Sequence, residues 1–251
     1  MTTTADHYRF RHAARTEWIK LRSLRSTWWT LTATVAGATG IAIAVGASTK
    51  DGSGDLTNNA LAGVVPALLL VGVLGVLTMT GEYSSGMIRA TLAATPNRPL
   101  VVAAKAAVFG AAALAVGMVA ALVAFVAGTA TLPDTVPAPS LTEPDVLRAV
   151  VLSGVGLGLI GLFGLGLGAI VRHSAGALAA FVGVVFVLGQ FIVAFAPSAV
   201  AYVPLAIVAN SLGVSEPVAG ALSPWAGVGM LCLYAAVTLG AGGWLLTRRD
   251  A

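Results

Sequence analysis

Six long stretches without a charged residue constrain what this chain can fold into. The 14 Lys and Arg and the 10 Asp and Glu residues leave uncharged the intervals 27–49, 56–81, 106–133, 149–171, 174–215 and 217–247. A helix rises about 1.5 Å per residue, so crossing a hydrocarbon core about 30 Å thick takes roughly 20 apolar residues. Each interval is long enough for one crossing.

The same intervals predict an all-α, polytopic membrane protein with a single transmembrane domain over residues 1–251. Its hydrophobic fraction is 57% and its charged fraction is 10%, whereas a soluble domain carries about 25% charged residues. A water-soluble fold could not bury so many apolar side chains. The predicted spans cover about 27–48, 60–80, 101–128, 149–171, 175–196 and 224–246.

The distribution of Lys and Arg predicts the orientation of the chain. One side receives twelve of the 14 basic residues: Arg9, Arg11, Arg15, Lys20, Arg22, Arg25, Arg89, Arg98, Lys105, Arg172, Arg248 and Arg249. The other side receives Lys50, Arg148, Asp51, Asp55, Asp134, Glu143, Asp145 and Glu216. Because short cytosolic loops retain Lys and Arg, we expect a multi-pass protein of the cell (plasma) membrane with both termini in the cytoplasm. The basic residues flank spans and form no stripe for nucleic acid, so we expect no nucleic-acid partner.

Residues 7–26 have the pattern of an N-terminal helix that lies in the membrane interface. The apolar positions that share one face are Phe10, Ala14, Leu21 and Leu24. Such a helix would contact membrane lipid. Glu17 falls within this apolar face, which indicates a protein partner there. The alternative is an exposed Glu17 that pairs with Lys20 three residues later.

Residues 197–222, between the fifth and sixth spans, are apolar but broken by Pro197, Pro204 and Pro217. The best apolar stretch, 199–209, is too short to cross a membrane. A seventh span would also put Arg248 outside, against the charge rule. We therefore expect a re-entrant hairpin that enters from the outer side and returns.

The fourth span is rich in glycine at helical spacing. Gly154 with Gly158, and Gly164 with Gly168, form pairs of small residues four apart. Such pairs allow membrane helices to approach closely. A phosphate-binding loop would need a lysine after the glycines, and this segment has none.

We find no catalytic constellation and no nucleotide-binding motif, so the chain is not expected to be an enzyme or to hold a cofactor. Proton-coupled carriers usually place an ionisable residue inside a span, and none is predicted there. The polar groups available to line a path are Thr30, Thr34 and Gln190. A residue such as Gln190 is more often an interhelical hydrogen-bonding residue than a ligand site.

The cytosolic connection after the second span is predicted to contain a short amphipathic helix. Residues 82–95 can form a short helix ended by Pro96. Ile88 and Leu92 would lie on one face, whereas Glu82, Gly86, Arg89 and Ala93 would lie on the other. This pattern is typical of a helix that docks against protein. A polar helix resting on lipid headgroups would show the same pattern.

This segment also resembles a known family. Residues 82–92 read Glu-Tyr-Ser-Ser-Gly-Met-Ile-Arg-Ala-Thr-Leu, which is similar to the coupling-helix signature of type-two ATP-binding-cassette (ABC) exporter permeases. Glu17, Trp18 and Lys20 resemble part of their N-terminal interfacial helix. Many members have Thr at the position of Met87.

The resemblance implies a function for the chain. It would be the membrane subunit of an ABC exporter, pairing with a second copy or a homologous permease and binding a cytosolic ABC ATPase subunit that holds ATP and Mg. The docking residues would be Glu82, Tyr83, Ser84, Ser85, Gly86, Met87, Ile88, Arg89 and Leu92. Amphipathic drugs, antibiotics or lipids would be the substrates. The alternatives are an ATP-independent secondary carrier or channel, and a membrane scaffold.

Overall fold

The computed structural model describes residues 10–50, 52, 54–95, 97–216 and 218–248, and this part of the chain contains helices and no strand. Arg9, Asp51, Pro96, Pro217 and Arg249 lie outside the described residues, as do positions 7–9 of the predicted interfacial helix. Helices α1 to α11 cover Phe10–Ser23, Arg25–Ser48, Leu56–Ala60, Val64–Ser84, Met87–Ala94, Arg98–Ala130, Pro144–Val171, Ser174–Val182, Leu188–Phe195, Pro204–Ile207 and Pro224–Arg248.

The predicted all-α class with six spans is confirmed, since six helical segments are long and apolar enough to cross a membrane. They are α2, α4, α6, α7, the continuous helix Ser174–Phe195 and α11. A π-helical turn at Gly183–Val187 separates α8 from α9 within the fifth of these spans. Single π turns of this kind occur within otherwise α-helical segments.

The second span begins later than predicted. The uncharged interval covers two helices, because Asp55 caps the short α3 by accepting a hydrogen bond from Asn58 N at 3.0 Å. The chain then turns, and α4 runs from Val64 to Ser84. At Gly63 an added β-carbon would lie 1.9 Å from the carbonyl oxygen of Ala38. Only glycine allows α2 and α4 to approach this closely.

Helix α7 lies at the centre of the bundle and packs against α4, α6 and α11. Its glycines lie at these contacts. An added β-carbon on Gly154 would lie 2.8 Å from Met118 Cα, and one on Gly158 would lie 3.1 Å from Leu114 Cα, both on α6. On the α4 side, an added β-carbon on Gly164 would lie 2.4 Å from the Gly72 carbonyl oxygen, and one on Gly168 would lie 2.8 Å from the Val76 carbonyl oxygen. The glycines therefore lie where the helix backbones meet.

Helix α1 packs along α6, and non-helical backbone at Leu24 separates it from α2. The face of α1 that packs against the bundle is only partly the apolar face predicted from sequence. Phe10 and Leu24 are exposed, whereas Ala13, Glu17 and Leu21 are buried. The difference arises because Glu17 finds a buried cation on α6, so the helix turns this face inward.

Residues 197–222 contain no described helix long enough to cross a membrane. They form a 3-10 helix at Pro197–Tyr202, the short α10 and a π turn at Val208–Leu212. Buried side chains of this segment contact the bundle: an added β-carbon on Gly227 of α11 would lie 2.9 Å from Ile207. The re-entrant path through a membrane remains a prediction.

The bundle has two chemically different ends. The basic end comprises described residues of 10–24, 82–105, 172–174 and 245–248. The acidic end comprises described residues of 49–63, 131–147 and 197–223. Among the described residues, those assigned to opposite sides from sequence therefore lie at opposite ends of the helices.

Candidate functional site

The basic end is held together by arginines that reach the last turn of α11. Arg98 Nη1 donates to the carbonyl oxygen of Leu246 at 2.8 Å, and Arg172 Nη2 donates to that of Leu245 at 2.9 Å. The last four carbonyl groups of a helix have no partner within it, and a cation near them also opposes the negative end of the helix dipole. These bonds join the start of α6 and the end of α7 to α11.

Beside them lie four charged residues from three helices: Glu17 and Lys20 of α1, Glu82 of α4 and Lys105 of α6. Together they form the four-charge cluster. Lys20 Nζ is 2.8 Å from both Glu17 Oε1 and Glu82 Oε1. Lys105 Nζ is 2.7 Å from Glu82 Oε1 and also pairs with Glu17 Oε2. Each ammonium therefore bridges both carboxylates.

The four-charge cluster is electrically neutral and buried. Glu82 and Lys105 are each only 3% exposed, whereas Lys20 is 21% exposed. Isolated charges at such depth would cost several kcal/mol each, so the reciprocal pairing is what permits their burial. Burial alone would lower the pKa of Lys20, but hydrogen bonds to Glu17 and Glu82 raise that pKa above its usual value. Lys20 is therefore charged at neutral pH.

The cluster also holds the short helix α5. Lys20 Nζ donates to Thr91 Oγ1 at 3.0 Å, and Thr91 Oγ1 lies 3.5 Å from Glu82 Oε2. Ile88 of the same helix is buried. Two contacts, one polar and one apolar, thus fix the inner face of α5 to the bundle.

The single helix predicted over 82–95 is wrong. Helix α4 continues to Ser84, and α5 begins at Met87 after Gly86, which has a φ of 70°. This left-handed conformation favours glycine and breaks the helix, so Glu82 does not share a face with Arg89. Glu82 is buried among lysines and is not available for a docking contact.

The other predicted docking residues divide into an outer and an inner set. The exposed ones are Ser84, Ser85, Gly86, Met87 and Arg89. Ile88 is buried, Leu92 is half-buried, and Tyr83 is half-buried with Arg172 5.4 Å above its ring centre. On α1, Trp18 is exposed. The surface that a partner could reach on α5 therefore centres on Met87, Arg89, Ala90 and Ala93.

In the structure Glu17 pairs with two lysines of its own chain. Its pairing with Lys20 is present, as in the alternative interpretation, but Glu17 is only 6% exposed. The sequence does not predict the second partner, because Lys105 lies 88 positions away along the chain. In the structure Lys105 lies two turns inside α6.

No protein-family model matches the chain, and no curated protein matches its sequence.

The three residues predicted to line a path lie on two helices, Thr30 and Thr34 on α2 and Gln190 on α9. Thr34 is fully buried and donates to the Thr30 carbonyl oxygen at 2.8 Å, so it is not on an open surface of the single chain. Thr30 is half-buried and donates to Ser26 of its own helix. Gln190 is exposed on α9.

At the acidic end, the carboxylate of Asp55 and the guanidinium of Arg148 hold the loops in place. Asp55 accepts hydrogen bonds from the backbone N of Ser215 at 2.7 Å and of Glu216 at 3.2 Å, besides capping α3. Arg148 Nη2 donates to the Ser215 carbonyl oxygen at 3.2 Å. These contacts fix residues 214–216 to the loop before α3 and to α7.

Proposed function

We propose that this chain is the membrane-spanning permease subunit of an ATP-driven ABC exporter, with α5 as the docking helix for a separate cytosolic ATPase. One observation carries the proposal: α5 is anchored on its inner face by Ile88 and Thr91 and exposed on its outer face at Met87 and Arg89. A helix of this kind transmits a push from a partner to the helices behind it. The sequence resemblance in residues 82–92 supports the same function.

The proposed orientation puts the basic end in the cytosol of the cell. Basic residues concentrate at this end, and the positive-inside rule then places both termini in the cytoplasm of a plasma-membrane protein. Exposed Trp18, Trp28 and Trp29 near the start of the first span are typical of residues at a membrane interface. Helix α1 would lie in that interface.

Pairing with a second permease copy is supported by the uneven burial of the spans. In the most apolar 18-residue stretch of each span, 72% of residues are buried in α7 but 11% in Ser174–Phe195 and 17% in α11. The last two spans therefore have faces free for lipid or for another subunit. Gln190, exposed on the fifth span, would line a path only when such a partner is present.

The second candidate, an ATP-independent secondary carrier or channel, is favoured by one observation. Lys105 is an ionisable residue buried within a span, where proton-coupled carriers place such groups. Its two carboxylate partners hold it in a neutral cluster, which favours a structural role. The exporter therefore remains the better proposal, with amphipathic drugs, antibiotics or lipids as the substrate class and drug or antibiotic resistance as the biological outcome.

Purification of the tagged chain from its native membrane in mild detergent tests this proposal. An exporter subunit should bring down a stoichiometric ATPase, and the reconstituted complex should hydrolyse ATP faster when amphipathic compounds are added. A carrier or channel should instead move solute in liposomes without any added protein. Transport by the chain alone, with no ATPase retained, would reject the exporter.

A further inference from the structure

A groove of about 380 Å³ lies between α1, α2 and α6, and Leu21 of α1 forms part of its wall. Its walls are apolar and include Leu31 of α2, Ala112 and Val116 of α6, and the ring of Trp28. Of the described residues that line it, Arg22 alone is charged. The volume lies within the range of sites that hold small molecules, about 300–1,000 Å³.

The groove is built into the junction between α1 and α2. Trp28 Nε1 donates to the carbonyl oxygen of Arg22 at 3.1 Å, across the non-helical residue Leu24. This bond fixes the indole beside the backbone of α1. Trp18 lines the groove from α1 and is 47% exposed. Tryptophan side chains with one apolar and one polar edge favour the headgroup level of a bilayer.

The electrostatics of α1 determine what kind of molecule suits this groove. Among the described residues of α1 and its junction with α2, the basic ones are Arg11, Arg15, Lys20, Arg22 and Arg25. The acidic residue Glu17 is neutralised inside the four-charge cluster. The exposed surface of α1 is therefore positive, and one basic residue in direct contact with the headgroup raises the affinity for an anionic lipid by roughly fivefold.

We propose that this groove binds one anionic phospholipid of the leaflet in which α1 lies. An acyl chain lies against Leu31, Ala112 and Val116, and the phosphate lies at the guanidinium of Arg22. Arginine suits this position because its planar donors match phosphate oxygens. The inference does not depend on the transport function, because it requires only that α1 lies at a membrane surface.

The test is a lipid titration of the delipidated full-length chain, followed by native mass spectrometry, with phosphatidylglycerol and phosphatidylcholine as the probes. The wild type should bind one phosphatidylglycerol roughly fivefold more tightly than phosphatidylcholine. Arg22→Gln should abolish that preference, whereas Arg22→Lys should keep most of it. Arg15→Gln is the matched control: Arg15 is exposed on the same helix but does not line the groove, so the preference should remain.

A second pair of variants tests the groove itself. Ala112→Phe fills it and should remove tight binding of both lipids, whereas Ala130→Phe, at the exposed far end of the same helix, should leave it unchanged. Headgroup preference that survives Arg22→Gln, or tight binding that survives Ala112→Phe, overturns the proposal. Equal binding of both lipids by the wild type also overturns it and would make the groove a site for an uncharged amphiphile.

Discussion

The two ends of the bundle are held together by different means. At the basic end, four buried charges join α1, α4 and α6, and Thr91 attaches α5 to them. At the acidic end, Asp55 and Arg148 make their contacts mainly with backbone groups of residues 214–216. The basic end is therefore tied together across several helices, whereas the acidic end is a set of loops fixed at a few points.

This difference matters for a machine driven by an external partner. A push on α5 would reach α1 through Lys20 and reach α4 and α6 through Glu82 and Lys105. No comparable set of charges connects the described helices at the acidic end. Under the proposed function, an ATPase that supplies force would therefore bind at the basic end, and the loops of the acidic end would rearrange.

The largest expected effect is an all-or-none difference in accessibility between the ends. In a Cys232→Ala background, Ala138→Cys at the acidic end should react with a membrane-impermeant maleimide in intact cells, whereas Asn97→Cys at the basic end should not. Both positions are exposed in the structure. Permeabilised cells provide the control, since both should then react. Labelling of Asn97→Cys in intact cells would reverse the orientation.

Breaking the four-charge cluster should have the largest effect on stability. Lys105→Met leaves Glu17 and Glu82 buried with one cation between them, and removal of one partner from a buried ion pair costs about 3–5 kcal/mol. The midpoint of thermal unfolding in detergent measures the loss. Exposed Arg89→Met is the matched control and should change stability by less than about 0.5 kcal/mol. Equal midpoints for the two variants would contradict the role of the cluster.

The next largest loss of stability is expected from substitution of a glycine at which α7 packs against α4. Gly164→Ala places a β-carbon 2.4 Å from the Gly72 carbonyl oxygen, and overpacking of this kind costs about 1–3 kcal/mol. Gly243→Ala on α11 meets nothing within 4 Å and should be neutral or stabilising, because alanine favours a helix by about 0.5–1 kcal/mol over glycine. A pair of thermal unfolding curves with the order reversed would reject the packing interpretation.

The acidic end should tolerate substitution better. Asp55→Ala removes the cap of α3 and the acceptor for Ser215 and Glu216, with an expected cost of about 1–2 kcal/mol. Glu143→Ala is the comparison, since Glu143 Oε1 accepts a single exposed hydrogen bond from Ser140 N, and it should cost less. If Asp55→Ala destabilises the chain as much as Lys105→Met, the two ends are not held together differently.

The spans could be predicted from sequence because a bilayer imposes one requirement, a length of apolar helix, that can be read locally. The boundaries were less accurate where a charge is buried. The sequence assigns Glu82 and Lys105 to the cytosolic side, whereas the structure buries both inside helices, because each neutralises the other. Charged residues alone therefore do not mark the ends of these helices.

The four-charge cluster could not be predicted because its contacts join distant positions. Glu17 and Lys105 are 88 residues apart, and Lys20 and Glu82 are 62 apart. The one local sign was a carboxylate on the apolar face of α1. The break at Gly86 was equally hidden, since a glycine within a helical pattern is tolerated or ends the helix according to its surroundings.

The structure also shows which substitutions in or near α5 would disturb the fold rather than docking alone. Glu82→Lys would place three ammonium groups together in a buried site, and Gly86→Trp would put a bulky residue at a φ of 70°. Both variants would disturb the fold before they disturbed any docking. Arg89 is exposed, so its reversal changes the outer surface of α5 alone.

The central claim is that α5 receives force from an ATPase. The most direct test reconstitutes the Arg89→Glu variant with the ATPase and measures how tightly the two bind and how fast the complex hydrolyses ATP when substrate is added. An interfacial charge reversal should weaken binding by about tenfold or more and lower stimulated hydrolysis, while membrane abundance and the thermal midpoint stay at wild-type values. Arg15→Glu, the same change at an exposed position of α1, should bind and hydrolyse as the wild type does. Full binding and full stimulated hydrolysis in Arg89→Glu would contradict the claim.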